Sequence, residues 1–239
     1  MIGAELQPVQ PRILSWQAWL ALAYVILVFP VGWGNLVAPF IGRLFLGQHA
    51  ALIIGPNWGW YLFWGALAAI ECLGCCLCLW AVRSEGHTVR EIGLYSARLR
   101  FYLSFLFASL VVFSIVLIGK EWGWISTRAD DNPVLRLSSI GRHFFFLGLI
   151  IIGASCEEIM FRGFAITYLR RLVRSPWFAV VLSTAAFAYM HGGLRQGFDE
   201  LVSRFVIGLM LAGVYLWRGS LFPAILAHYL IDASFTLLH

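Results

Sequence analysis

Long apolar runs separated by short polar stretches set the pattern of this chain. Runs near twenty residues predict membrane-crossing helices over residues 15–31, 60–82, 101–118, 143–169, 177–191, 201–217 and 221–238. Residues 1–13 hold Pro8 and Pro11 and predict a short tail. Pro30 and Gly32 predict a break after the first run. Residues 35–46, apolar around Arg43, are short for a crossing. They predict an interfacial or re-entrant helix, or an extra span with the residues that follow. Gly55-Pro56-Asn57-Trp58-Gly59 predicts a turn. Residues 83–100 and 120–142 are polar and predict loops. Ser175 and Pro176 predict the N-cap and first turn of the fifth helix, which Gly192-Gly193 ends. Arg218-Gly219-Ser220 predicts a tight turn. The expected fold class is therefore all-α, a polytopic transmembrane helical bundle of about seven or eight spans. Residues 1–142 form its N-terminal transmembrane region and residues 143–239 a core of four spans.

Composition sharpens this picture. Hydrophobic residues make up 61% of the 239, charged residues only 12%, and mean hydropathy is +0.82. Soluble domains carry about a quarter charged residues. The apolar runs are continuous, which excludes the alternating strands of an outer-membrane barrel. Net charge is +5, with 17 basic residues against 12 acids. The arginines gather at span ends and form no basic groove, so no nucleic-acid partner is expected. With the 83–100 and 170–174 loops and Arg218 on one side, the positive-inside rule predicts a cytoplasmic N-terminus. The first run lacks the order of a signal peptide and reads as a retained span. Cys72, Cys75, Cys76, Cys78 and Cys156 all lie in apolar runs. Cys72, Cys75 and Cys76 are expected to line one helix face as small, soft packing residues, and no disulfide framework is implied.

The exception to the apolar pattern is Gly153-Ala-Ser-Cys-Glu157-Glu158-Ile-Met-Phe-Arg162-Gly163. Ionised groups at bilayer depth are costly, usually paired and usually functional. Glu158 and Arg162 share a helix face and predict a structural ion pair. Glu157 points about 100° away and is left for another task. Two further positions stand out: His191, with Phe187 four residues earlier, and the pair His228 and Asp232. Glu71 is the other acid within a span. Counting about 1.5 Å per residue from the predicted span ends places Glu157, His191 and His228 about 18, 22 and 13 Å deep. A carboxylate beside histidine in a low-dielectric cavity can act as a general base on water. His228 and Asp232 could then stabilise an oxyanion, with Asp232 either protonated or orienting a donor. Small residues at Gly208 and Ala212 predict close helix packing. Peptide-bond hydrolysis is the reaction expected from this set. A non-catalytic partner-binding scaffold and a proton-relay transporter are the rival classes, and no repeat symmetry favours the transporter.

In order and spacing, these motifs resemble the CPBP family of intramembrane proteases. That family includes CAAX prenyl endopeptidases and bacteriocin-processing or Abi proteins. The motif Glu-Glu-x-x-x-Arg stands as Glu157-Glu158-Ile-Met-Phe-Arg162, and Phe-x-x-x-His as Phe187-Ala-Tyr-Met-His191. A glycine-rich motif resembles residues 205–219. His-x-x-x-Asn stands as His228-Tyr-Leu-Ile-Asp232, with aspartate in place of the usual asparagine. The segment 86–94 is similar to the one that precedes the core in bacterial members. The resemblance implies that Glu157 and His191 activate water and that His228 stabilises the oxyanion. It implies that Glu158 and Arg162 support them. It implies a bacterial inner-membrane enzyme acting on a membrane-associated substrate: a CAAX-like C-terminus, a peptide precursor or a sorting tail. An inactive immunity or partner-binding protein on the same scaffold is the alternative. The metal-free reading is preferred, with zinc at Glu157, His191 and His228 as the other option. Oligomeric state has no signal in the sequence.

Overall fold

The computed structural model describes residues 13–48, 52–53, 56–96, 139–173, 175–191 and 197–237. The expected third span, 101–118, and most of the 120–142 loop lie outside the described residues. Among those described, the chain is helical and contains no strand.

Ser15 caps the first helix, α1 (Trp16–Ala23), by accepting the Ala18 N–H on its hydroxyl at 3.1 Å. The expected break at Pro30 and Gly32 does not occur. Two π-helical turns, Tyr24–Val28 and Trp33–Val37, join α1 to α2 (Phe29–Gly32) and α3 (Ala38–Leu46). Pro30 and Pro39 each sit in the first turn of the α-helical piece that follows a π turn. A proline ring clashes with the carbonyl four residues back, and widening that turn to i→i+5 bonding relieves the clash. Residues 35–46 therefore continue the first helix and are not a separate element.

The expected turn at 55–59 is also replaced. Helix α4 (Pro56–Ser84) already includes residues 56–59, and proline suits a first helical turn because its missing N–H is not needed there. After a 3₁₀ turn at Val89–Ile92 and the segment outside the described residues comes α5 (Ser139–Glu157). A nine-residue π stretch, Glu158–Ile166, carries α5 into α6 (Thr167–Val173). Then follow α7 (Pro176–Met190), α8 (Phe198–Arg218) and α9 (Leu221–Leu237). Ser175 caps α7 as expected, its hydroxyl accepting the Phe178 N–H. Gly219, at φ 68°, ends α8 in the left-handed conformation that favours glycine.

Among the described residues three helices are long and apolar enough to cross a membrane: Trp58–Ser84, His143–Val173 and Phe198–Arg218. One buried cluster runs from Val25 and Phe29 through Cys78 to Phe161, Phe164, Phe187 and Leu221, so both halves of the chain share it. Helix α5 packs against α4 and α9, and α7 against α8. The motif-bearing π stretch is enclosed by α4, α7, α8 and α9.

One end of the bundle is tied by polar contacts. Glu85 accepts from the Ser15 N–H at 2.8 Å and from Arg171 at 3.2 Å. His87 lies 2.7 Å from Glu91, which also closes a capping box with Thr88. The Leu221 N–H donates to the Gly93 carbonyl at 2.8 Å, and the Ser220 hydroxyl donates to the Tyr95 carbonyl. A side chain at Gly163 would meet the Ile92 carbonyl at 2.8 Å, so a glycine there lets the 86–94 segment dock on the core. The 83–95, 167–173 and 218–221 segments thus meet at one end, as the charge pattern required.

Candidate active site

The site grows from the π stretch. A turn with i→i+5 bonding rotates through fewer degrees per residue than an α-turn. Adjacent Glu157 and Glu158 consequently both reach His228 of α9. Glu158 Oε1 lies 2.9 Å from Arg162 Nη1 and accepts from His228 Nδ1–H, also at 2.9 Å. The expected Glu158–Arg162 pair is present. The same oxygen also anchors the histidine, a link the spacing did not reveal because it joins two helices.

Burial makes this arrangement consequential. Glu158, Arg162, His228 and Glu157 are 0%, 1%, 3% and 7% exposed. A buried ion requires a partner and further hydrogen bonds. Arg162 finds them in three directions. Beside Glu158, its guanidinium lies 4.0 Å over the Phe187 ring and donates to the Gly208 carbonyl at 3.4 Å. A side chain at Gly208 would meet Thr184 at 2.7 Å and Arg162 at 3.3 Å. Gly208 therefore serves the arginine as well as the close packing expected of it. Phe187 is the hub, with ring centroids 4.7 Å from His191 and 5.7 Å from His228. That gives the Phe-x-x-x-His spacing a physical reason.

His191 caps α7. One ring nitrogen, Nδ1, is 2.9 Å from the Phe187 carbonyl. A carbonyl only accepts, so Nδ1 carries a proton, and in the neutral ring Nε2 then presents a lone pair. That Nε2 stands 3.9 Å from Glu157 Oε2, and His228 Nε2 stands 3.7 Å from the same oxygen. Glu157 Oε2 is buried and has no hydrogen-bond partner among the described residues. Asp232 Oδ2 is 3.4 Å from His228 Nε2 and its side chain is 32% exposed. All four expected catalytic residues, and all three supporting ones, meet in one place. They come from the end of α5, the π stretch, α7 and α9.

Among the described residues no group of three or more His, Cys, Asp or Glu is arranged to hold a metal ion. The cysteines are free. Cys72 and Cys156 approach to 3.8 Å between sulfurs. Cys76 is exposed while Cys75 is buried, so these two do not line one face as expected.

Sequence reasoning left Glu71 outside the set. It sits on α4, and a side chain at Gly153 would come within 3.1 Å of its carboxylate. It is also close enough to interact electrostatically with Glu157, His228 and Asp232. Its position as an acid inside a span was the available signal. Near the His191 end of α7, a separate apolar cavity of about 270 Å³ is lined by Ala185, Ala188, Tyr189, Leu201, Val202 and Phe205.

Comparison with known proteins agrees with the motif reading. Residues 139–234 match the family model described as type II CAAX prenyl endopeptidase Rce1-like, consistent with the CPBP family. With its long apolar helices, the chain is an integral membrane protein, and its residues 139–234 are similar to this protease family. The uncharacterized protein YpbD of Bacillus subtilis (strain 168) is 37% identical over 93 residues, which are 39% of this chain and 43% of that protein. The chain thus spans less than half the length of that relative. No solved structure matches.

Proposed function

We propose that this protein is an intramembrane endopeptidase that hydrolyses a peptide bond of a membrane-associated substrate with water activated by Glu157 and His191. The observation that carries this reading is the buried Glu157 Oε2, without a hydrogen-bond partner and 3.9 and 3.7 Å from two imidazole nitrogens on different helices. Those separations exceed a direct hydrogen bond and suit groups that share one water.

In this mechanism the water donates one proton to Glu157 and hydrogen-bonds through the other to His191 Nε2. Its oxygen attacks the scissile carbonyl. His228, with Nδ1–H committed to Glu158, acts as imidazolium and donates Nε2–H to the oxyanion. When the C–N bond breaks, the proton on Glu157 passes to the departing amine. Asp232 has no donor when ionised, so its role is to orient His228 and balance its charge. Glu158, Arg162 and Phe187 hold the imidazole in place. The reading requires no cofactor, and loss of cleavage on chelation would overturn that part of it.

Substrates of this kind include a CAAX-like C-terminus, a peptide precursor and a sorting tail. The arginine-rich end of the bundle and the bacterial relative support a bacterial inner membrane with a cytoplasmic N-terminus. The test is a comparison of membrane peptides from cells making wild-type or Glu157→Gln protein. Removing the base is expected to slow cleavage by about 10²–10⁴-fold, with unchanged membrane insertion. Peptides processed equally in both strains refute the role and favour a partner-binding protein on this scaffold.

A further inference from the structure

Glu71 is the midpoint of the span Trp58–Ser84. An acid at the centre of a spanning helix is costly and marks a functional position. It lies outside residues 139–234, the segment that matches the protease family. Its carboxylate nevertheless points at α5, 3.1 Å from where a side chain at Gly153 would begin, one helical turn before Glu157. The ionisable groups facing it are Tyr24 from the first helix, Cys72 on its own helix, Cys156 and Glu157 from α5, and His228 and Asp232 from α9. Glu71 itself is half-buried. Among the described residues no hydrogen bond from another side chain holds its carboxylate, and the unpartnered Glu157 Oε2 faces the same region.

A peptide bond is attacked in an extended segment, because a helix hides its carbonyl. Unwinding a substrate at bilayer depth releases backbone N–H groups that lose their helical acceptors and find little water. An acceptor at the same depth, beside the reacting centre, stabilises that segment. We propose that Glu71 is a substrate-positioning residue, its carboxylate accepting an N–H of the extended substrate chain beside the scissile bond. The site is then completed by the N-terminal half of the protein. This inference rests on the proteolytic reading above.

The test uses purified full-length protein and a synthetic peptide spanning a cleavage site that wild type processes and Glu157→Gln does not. Kinetics are compared for wild type, Glu71→Gln, Glu71→Leu and Gly153→Ala. Leaving a buried N–H without its acceptor is costly enough that Glu71→Leu should raise KM about tenfold or more, with kcat within about threefold. Glu71→Gln keeps an acceptor oxygen and should hold KM within about threefold of wild type. Gly153→Ala leaves the acid in place but crowds it, and should shift KM in the direction of Glu71→Leu. If Glu71→Leu protein does not accumulate, the other two variants decide. Unchanged KM in Glu71→Leu and Gly153→Ala overturns the proposal while leaving the peptidase intact, as does equal loss in Gln and Leu. A wild type that cleaves no peptide overturns the peptidase reading first.

Discussion

Two polar clusters in this protein draw on the same side chains: two glutamates, a histidine and an arginine. At the end of the bundle stand Glu85, Glu91, His87 and Arg171. In its middle stand Glu157, Glu158, His228 and Arg162. At the end, side-chain exposure runs from 9% for Arg171 to 43% for Glu91, and the carboxylates accept from backbone N–H groups of Ser15 and Thr88. In the middle, side-chain exposure runs from 0% for Glu158 to 10% for Glu157, and among the described residues Glu157 and Glu158 each keep an oxygen without a hydrogen-bond partner. The first arrangement satisfies its charges and joins loops. The second buries charge it does not fully satisfy, from helices far apart in sequence. Residue type therefore does not distinguish the two clusters; incomplete satisfaction at depth does, and it marks the middle one as the candidate site.

The sharpest way to break this contrast is to remove the buried arginine. Arg162→Leu leaves Glu158 without its cation and His228 with a mobile anchor. Deleting one partner of a buried pair costs about 3–5 kcal/mol, read as a large fall in thermal unfolding temperature in detergent together with lost cleavage. A variant that unfolds like wild type would show that the buried pair is not what holds the middle cluster.

Gly208→Ala tests the same cluster more gently. The added methyl meets Thr184 at 2.7 Å and crowds both Phe187 and the arginine that donates to the Gly208 carbonyl. Overpacking of this kind costs about 1–3 kcal/mol. Cleavage should fall more than stability alone explains, because the displaced groups support His228 and His191. Equal small changes in both would reduce Gly208 to a packing residue.

The apolar runs made most of the described helices legible, and the three long enough to cross fit the roughly twenty lipid-compatible residues a span needs. The pair His228 and Asp232 was legible too, because four residues is one helical turn. Pro30 misled because the penalty of a proline depends on the turn before it, and a π turn is not written in residue type. The Glu158–His228 contact was hidden because helix rotation is set by tertiary packing, here through Phe187 and Gly208. Glu71 was visible as an acid inside a span. Which way it faces depends on how α4 packs against α5, with Gly153 leaving space for its carboxylate.

The smallest expected effect belongs to the end cluster. Arg171→Ala removes contacts to Glu85 at 3.2 Å and Glu91 at 3.9 Å and the stacking over Tyr168 at 4.5 Å. Glu85 keeps the Ser15 N–H, and Glu91 keeps His87 and Thr88, so no charge is stranded. Loss of such a pair costs about 1 kcal/mol, the upper end for pairs in contact with water. Ions screen exposed charges over about 8 Å at physiological salt, so the difference in unfolding temperature between wild type and Arg171→Ala should narrow as salt is raised. Arg162→Leu, shielded from ions, should show no such narrowing. If both variants respond to salt alike, the two clusters share one environment and the distinction between clamp and site fails.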